Sequence, residues 1–254
     1  MWLRLRQIAL VAEKLAPVEA ALLDVLSVKV AFRDPGVGHF GLENALFPIG
    51  NTLLEVVAPT RENTAGGRYL ERRGGDGGYM VITQCDDHLP RRKRVADLGI
   101  RIVNQFENKH FRNIQLHPKD TGGSFFEIDE ALGENAHAHD GPWEPSGPEW
   151  QMYKDTSRVA GIVAAEVQAD DPRQVAARWS EISQIPLASD GLTLPLDNAK
   201  VRFVPCTDGR PEGLGGIDIQ CTDKAAILAA AKKRGLKLDG DTLMLCGMRV
   251  KLIG

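Results

Sequence analysis

Short apolar runs alternate with longer amphipathic runs along the chain, and this alternation occurs four times. Each repeat begins with an apolar run of strand length, at residues 7–11, 79–83, 161–167 and 216–220. A helix-start signal follows each run: Pro17, Asp86-Asp87, Asp171-Pro172 and Thr222-Asp223. Several short strand-like runs come next. The pattern predicts four βαβββ modules and therefore an α+β fold.

The segment Phe111–Asp129 predicts a β-hairpin. Apolar and polar residues alternate at its beginning, residues 120–123 (DTGG) supply a turn, and a second apolar strand follows. Glu127 lies within this second strand, on the face opposite to Phe126 and Ile128. A carboxylate on the inner face of a curved sheet requires a partner, a metal or a ligand.

The composition is that of an ordinary globular protein. The 254 residues are 43% hydrophobic and 26% charged, and the formal net charge is −3. This balance favours neither nucleic acid nor a membrane surface as a partner, and we expect a cytoplasmic protein with a small-molecule ligand. The four cysteines lack CxxC spacing, which predicts reduced thiols: Cys85, Cys206, Cys221 and Cys246.

Two segments carry a resemblance to a known superfamily. Residues 117–128 (HPKDTGGSFFEI) resemble the closing hairpin of the methylmalonyl-CoA-epimerase-like and glyoxalase-like branches of the vicinal oxygen chelate superfamily. Residues 50–59 (GNTLLEVVAP) resemble a second strand of that superfamily. The resemblance implies that the four modules pair into two half-barrel domains, each curled around a trough.

The resemblance also implies a division of the chain. Residues 1–130 form a first glyoxalase-like domain, and residues 157–254 form a second, degenerate one. Residues 131–156, rich in proline and tryptophan, form a linker. The two domains are expected to make the monomer an internal pseudo-dimer, or the chain forms a homodimer.

In the resembled superfamily, four inward side chains hold a metal ion. Their positions here carry Gln7, Glu55, Met80 and Glu127, so both of the expected histidines are lost. A thioether suits hard ions poorly, and we expect no metal cofactor. A divalent ion remains possible on Gln7, Glu55 and Glu127, with waters completing the shell.

Without a metal, Glu55 and Glu127 are the candidate acid–base pair. Two carboxylates that face each other raise the pKa of one of them, which suits general acid–base catalysis. The alternative is that each pairs with a basic residue or points to solvent. By the same resemblance, His39 takes the place of a catalytic glutamate and is expected to assist. Further substrate contacts are expected from Gln7, Asn44, Met80, His117 and Lys119.

The second half carries no comparable site. The corresponding positions fall near Gly161, Arg202, Gly216 and Lys251, and we interpret this half as degenerate. Arg202 and Lys251 could bind an anion.

These features favour a glyoxalase-like enzyme, an isomerase or lyase, that acts on a small carbonyl or carboxylate compound by proton transfer α to a carbonyl. The alternative is a bleomycin-resistance-type protein that binds a small molecule without catalysis. A third interpretation is a relative of the superfamily's dioxygenases that is retained for assembly.

Overall fold

Two curved, mixed sheets of seven strands each form the protein, in a computed structural model that describes residues 1–254. The first sheet has the strand order β2-β3-β1-β4-β7-β6-β5. Its strands are β1 (Leu3–Val11), β2 (Leu42–Ile49), β3 (Thr52–Pro59), β4 (Gly77–Cys85), β5 (Ile102–Glu107), β6 (Phe111–Leu116) and β7 (Phe125–Ala131).

The second sheet repeats this plan with the order β12-β13-β14-β11-β8-β10-β9. Its strands are β8 (Val159–Ala169), β9 (Thr193–Pro195), β10 (Lys200–Pro205), β11 (Gly213–Cys221), β12 (Leu238–Asp239), β13 (Thr242–Leu245) and β14 (Met248–Ile253). In both sheets the two central strands run antiparallel to each other, β1 with β4 and β8 with β11.

Five α-helices accompany the sheets: α1 (Leu15–Leu26), α2 (Ala65–Arg73), α3 (His88–Asp97), α4 (Pro172–Ser183) and α5 (Lys224–Lys233). Three of them begin where the sequence predicts, because the side chains of Asp87, Asp171 and Asp223 accept hydrogen bonds from backbone amides of the first turn. None of the helices combines the length and apolar character needed to cross a bilayer.

The predicted α+β fold with two half-barrels is confirmed, with one difference in detail. The second and fourth modules contain three strands after the helix, whereas the first and third contain two. In the first module an isolated bridge between Phe32 and Leu46 stands where a further strand would lie. The helix α2 was not expected; it contains Gly66 and Gly67, which disfavour helix, and it begins at a Thr64 cap.

The two halves share one hydrophobic core. A single cluster of 47 buried residues draws on both sheets and their helices. At its centre, the rings of Phe126 on β7 and Trp179 on α4 stack with centroids 4.1 Å apart. Backbone contact is equally close, since a Cβ atom at Gly50 would lie 1.8 Å from the carbonyl oxygen of Ala160.

Residues 132–156, which we call the strap, connect the two sheets and pack along the first one. Trp143 and Trp150 of the strap are buried. The guanidinium of Arg6 lies close to both indole rings and donates hydrogen bonds to the carbonyl oxygens of His139 and Gly141. The strap is therefore fastened to β1 by a buried cation. All four cysteines are free thiols.

Candidate functional site

The concave face of the first sheet forms a trough, which we call the first trough. Apolar clusters flank it at both ends: Phe111 and Trp143 belong to one, Tyr69 and Tyr79 to the other. Polar side chains occupy the middle: Gln7, Asn44, Glu55, Asn113, Gln115, Glu127 and Asp129. Sequence reasoning placed Gln7, Asn44, Glu55 and Glu127 here.

Strand register explains how the two glutamates come together. Gln7 on β1 pairs with Ile82 on β4, which pairs with Glu127 on β7. Glu55 on β3 faces the same side of the sheet but pairs with Ala9, two residues further along β1 than Gln7. Three strand spacings, about 14 Å on a flat sheet, separate β3 from β7. Both carboxyls face the same trough of the curved sheet, and the pKa of Glu55 is raised mainly by burial and to a lesser extent by the charge of Glu127.

Glu55 is held by two amides. Its carboxylate accepts hydrogen bonds from Gln7 Nε2 at 2.9 Å and from Asn44 Nδ2 at 2.6 Å. The side chain is 8% exposed, and burial raises its pKa to about 7, although the two amides act in the opposite direction. Glu55 therefore exchanges its proton near neutral pH.

Glu127 is the second buried acid, with an exposed fraction of 9%. Burial raises its pKa, while hydrogen bonding with Asn113 and Asp129 partly offsets that effect. The pKa of Asp129 is raised well above its ordinary value by burial and by the neighbouring Glu127. Glu55 and Glu127 therefore both line the first trough, and neither forms an ion pair with a lysine, arginine or histidine.

Met80 lies in the trough, as the sequence indicates, but one row away from Glu127, opposite Ala9 and Phe125. A β-bulge at Tyr79 shifts the register between β1 and β4. As a result, Tyr79 and Met80 both pack against the apolar cluster at one end of the trough. The thioether of Met80 accepts a hydrogen bond from Gln115 Nε2 at 3.0 Å.

The other predicted site residues lie outside this group. His39 is exposed on a 3₁₀ turn at residues 35–40, and its ring packs edge-on against Phe40. His117 caps the 3₁₀ turn of the hairpin, where its Nδ1 accepts a hydrogen bond from the amide of Lys119. Lys119 itself is exposed. No hydrogen bond connects these three side chains to Glu55 or Glu127.

The side chains of Gln7, Glu55 and Glu127 are not oriented to bind a metal ion. Gln7 turns its NH₂ group toward Glu55, while its oxygen accepts a 2.9 Å hydrogen bond from Trp143 Nε1. A ligand set of Gln7, Glu55 and Glu127 would need that oxygen to point between the two acids. No group of three or more histidine, cysteine, aspartate or glutamate residues is arranged to hold a metal ion.

The corresponding face of the second sheet, which we call the second trough, is filled by ion pairs. Arg202 contacts Asp218 at 2.6 Å and Glu166 at 3.2 Å, and Arg249 contacts Glu166 at 2.9 Å. By strand register, Arg202, Gly216 and Lys251 correspond to Glu55, Met80 and Glu127, whereas Ala164, and not Gly161, corresponds to Gln7. The row across β10, β8, β11 and β14 consists of Arg202, Glu166, Gly216 and Arg249. With its charge taken by two acids, Arg202 offers no anion site.

Sequence reasoning missed Trp143, Asn113, Gln115 and Asp129 as members of the first trough. The period-2 alternation around Glu127 puts Asp129 on the same face, and this signal was available. Trp143 had no such signal. Two cavities of about 420 and 410 Å³ lie beside α2 and at residues 130–138, and neither is lined by Glu55 or Glu127.

Two curved mixed sheets, with buried acids on the inner face of the first, form the half-barrel architecture that the sequence resemblance predicts. One curated relative is the ethylmalonyl-CoA/methylmalonyl-CoA epimerase of Cereibacter sphaeroides, 25% identical over 131 residues. The match covers 50% of this chain and 97% of the relative. The predicted resemblance to the superfamily and its epimerase-like branch is thereby confirmed. No protein-family model matches the chain.

Solved structures extend the likeness to both halves. A hypothetical protein from Staphylococcus aureus superposes with a TM-score of 0.66 over 99% of both chains, at 10% identity. It shows that the arrangement of the two sheets together occurs in another protein. The methylmalonyl-CoA epimerase of Mycobacterium tuberculosis is 23% identical and gives a TM-score of 0.45. That match covers 53% of this chain and 92% of the epimerase.

Proposed function

We propose that the first trough binds a small carbonyl or carboxylate compound and transfers a proton at the carbon α to its carbonyl. The observation that carries this proposal is the pair Glu55 and Glu127. Both are buried, they lie on opposite sides of one trough, and neither has a basic partner. The epimerase-like sequence match supports the same class of reaction.

The two acids can work in opposite protonation states. Because burial raises the pKa of both, and Glu55 reaches about 7, one can be ionised while the other carries a proton near neutral pH. The ionised carboxylate removes the α-proton, and the electron pair moves into the carbonyl to form an enolate. The other carboxyl returns a proton to the carbon. Return on the opposite face inverts the stereocentre, and return on the same face exchanges the hydrogen.

The side chains around the acids favour a small, partly apolar substrate. Met80 and Phe125 lie in the row next to Glu127, and Ile82 separates Glu127 from Gln7. An acyl chain can pack on these side chains, and its carbonyl would then lie between the two carboxyls. His39 lies at the solvent side and has no step in this scheme.

Solvent exchange tests the proposal directly. The purified chain is incubated in D₂O with 2-oxo acids and with acyl thioesters, and deuterium at the α-carbon is followed by proton NMR. We expect exchange in the wild type and a loss of about 10²-fold or more in Glu127→Gln, since a general base contributes that factor. Glu130→Gln is the matched control, because the neighbouring Glu130 faces away and pairs with Arg112. Equal exchange in both variants would contradict the role of Glu127.

A second candidate is a protein that binds the same ligand without turnover. The observation that favours it is that Gln7 and Met80 stand where the resembled superfamily has two histidine ligands, so that the residues present do not form a metal site that would neutralise an enolate. This candidate predicts saturable ligand binding, measured by calorimetry, with no deuterium in the recovered ligand. Exchange that Glu127→Gln abolishes would exclude it.

A further inference from the structure

Gln115 lies directly beside the acid that the proposed reaction uses. It pairs with Glu127 across the antiparallel strands β6 and β7, so that both side chains project into the first trough. Its Nε2 donates a hydrogen bond to the thioether of Met80 at 3.0 Å. A thioether is a weak acceptor, so a carbonyl or enolate oxygen would displace it readily.

The other amides of the trough are committed to stronger partners. Gln7 donates to Glu55 and accepts from Trp143, and Asn44 donates to Glu55 and accepts from the amide of Asp34. Gln84 donates to the carbonyl of Ala136. Asn113 accepts from the amide of Phe106, and its side chain is close enough to Glu127 to lower the pKa of that carboxyl. Among these side-chain amides, that of Gln115 is the one whose hydrogen bond goes to a sulfur atom, the thioether of Met80.

We propose that Gln115 is a catalytic residue whose side-chain amide donates a hydrogen bond to the substrate's carbonyl oxygen and to the enolate that forms there. This assignment rests on the proposed function. The assignment places a hydrogen-bond donor next to the base Glu127. The donor faces the carbonyl oxygen, on which negative charge develops once the α-proton has moved to the carboxylate. Met80 lies at a position where the resembled superfamily has a metal ligand. Its thioether then accepts the hydrogen bond of the Gln115 amide until a substrate binds.

Gln115→Met tests the assignment, since methionine has nearly the same shape and no N–H donor. We expect the rate constant for α-deuterium exchange to fall by about 10²- to 10³-fold while KM changes less than threefold, as for the removal of one oxyanion donor. Gln105→Met is the control for a glutamine-to-methionine change, because Gln105 is exposed on the edge strand β5, which pairs with β6. Unfolding transitions that superpose with the wild type establish that Gln115→Met is folded.

A spectroscopic arm reports on the hydrogen bond without turnover. With a ligand labelled with ¹³C at the carbonyl, we expect a downfield shift on binding to wild type and to Glu127→Gln, and its loss in Gln115→Met. A shift that persists in Gln115→Met, or an unchanged exchange rate in that variant, overturns the assignment of Gln115. Absence of exchange in the wild type, with the shift still dependent on Gln115, overturns the proposed catalysis and leaves the hydrogen bond in place.

Discussion

Trp143 and Gln7 are 136 residues apart in the chain, yet the indole Nε1 of Trp143 donates a 2.9 Å hydrogen bond to Gln7 Oε1. This contact decides which way the amide of Gln7 points. Because the oxygen faces Trp143, the NH₂ group faces Glu55. The strap therefore takes part in the candidate site, since it sets the hydrogen bond that one of the two acids receives.

Trp143→Phe removes that donor and leaves a buried acceptor. We expect the free energy of unfolding to fall by about 1–3 kcal/mol, the usual penalty for an unsatisfied buried group. Urea denaturation measures it. Trp150→Phe is the matched control, because Trp150 Nε1 is buried without a partner and its loss removes no hydrogen bond. Equal destabilisation by both variants would show that ring packing, rather than the contact with Gln7, dominates.

The carboxyl of Glu55 should make stability depend on pH. Its pKa rises from 4.5 to about 7 on folding, so the folded protein binds more protons than the unfolded chain within that window. Stability must then decrease as the pH rises from 4.5 to 7, by about 3 kcal/mol in total. Glu55→Gln should lose this contribution, so that its stability relative to wild type improves between pH 5 and pH 8. A constant difference across this range would contradict the raised pKa.

His88 should act with the opposite sign. It is 2% exposed, neither ring nitrogen has a hydrogen-bond partner, and burial lowers its pKa to about 4. The unfolded chain therefore binds the extra proton between pH 4 and 6.5, and stability is lost as the pH falls through that window. His88→Leu should weaken this acid sensitivity in thermal melts recorded from pH 4.5 to 7.5. His139→Leu, at an exposed strap position, is the control, and the same weakening there would contradict the assignment to His88.

Arg6 fastens the strap to β1, and replacing Arg6 should make the strap more accessible to protease. Arg6→Met leaves the carbonyl oxygens of His139 and Gly141 without their charged donor, at a cost of about 1.5–3 kcal/mol for each hydrogen bond. We expect faster tryptic cleavage after Lys154, followed by mass spectrometry. Arg33→Met, which removes an exposed ion pair with Glu19, should leave that rate unchanged. A strap equally resistant in both variants would mean that its tryptophans suffice to hold it.

Gly50 is where the two halves touch through their backbones. It has φ of +61°, and a Cβ atom there would lie 1.8 Å from the carbonyl oxygen of Ala160. Gly50→Ala should therefore destabilise the protein by about 2 kcal/mol or more, because the added methyl group overpacks the contact. Gly99→Ala has a similar φ of +66° with no atom within 4 Å, and it should lose only about 1 kcal/mol from backbone strain. Differential scanning calorimetry measures the loss of stability in both variants. Equal losses would show that the backbone contact between Gly50 and Ala160 can relax.

The fold was accessible from sequence because its signals are local. Alternation predicts the strands, and caps such as Asp171 mark where helices begin. The prediction that Glu55 and Glu127 share one trough followed from the resemblance to the superfamily. The helix α2 was hidden by its two glycines, although Thr64 could have indicated its start.

Register and long-range contacts could not be predicted in the same way. The parallel register of β4 and β7 puts Ile82, and not Met80, beside Glu127, and this register leaves no clear mark in the pattern of apolar residues. The partnership of Trp143 with Gln7 depends on the path of the strap. In the second trough, Glu166 and Arg249 neutralise each other, and only coordinates show which side chains converge.

The stacked rings of Phe126 and Trp179 give the second half a purpose that does not depend on chemistry of its own. Phe126 is the immediate neighbour of Glu127, and its ring lies on the reverse side of the same strand. The second half therefore supports, from behind, the strand that carries Glu127. A change at Trp179 in one half would then be transmitted to the trough of the other half.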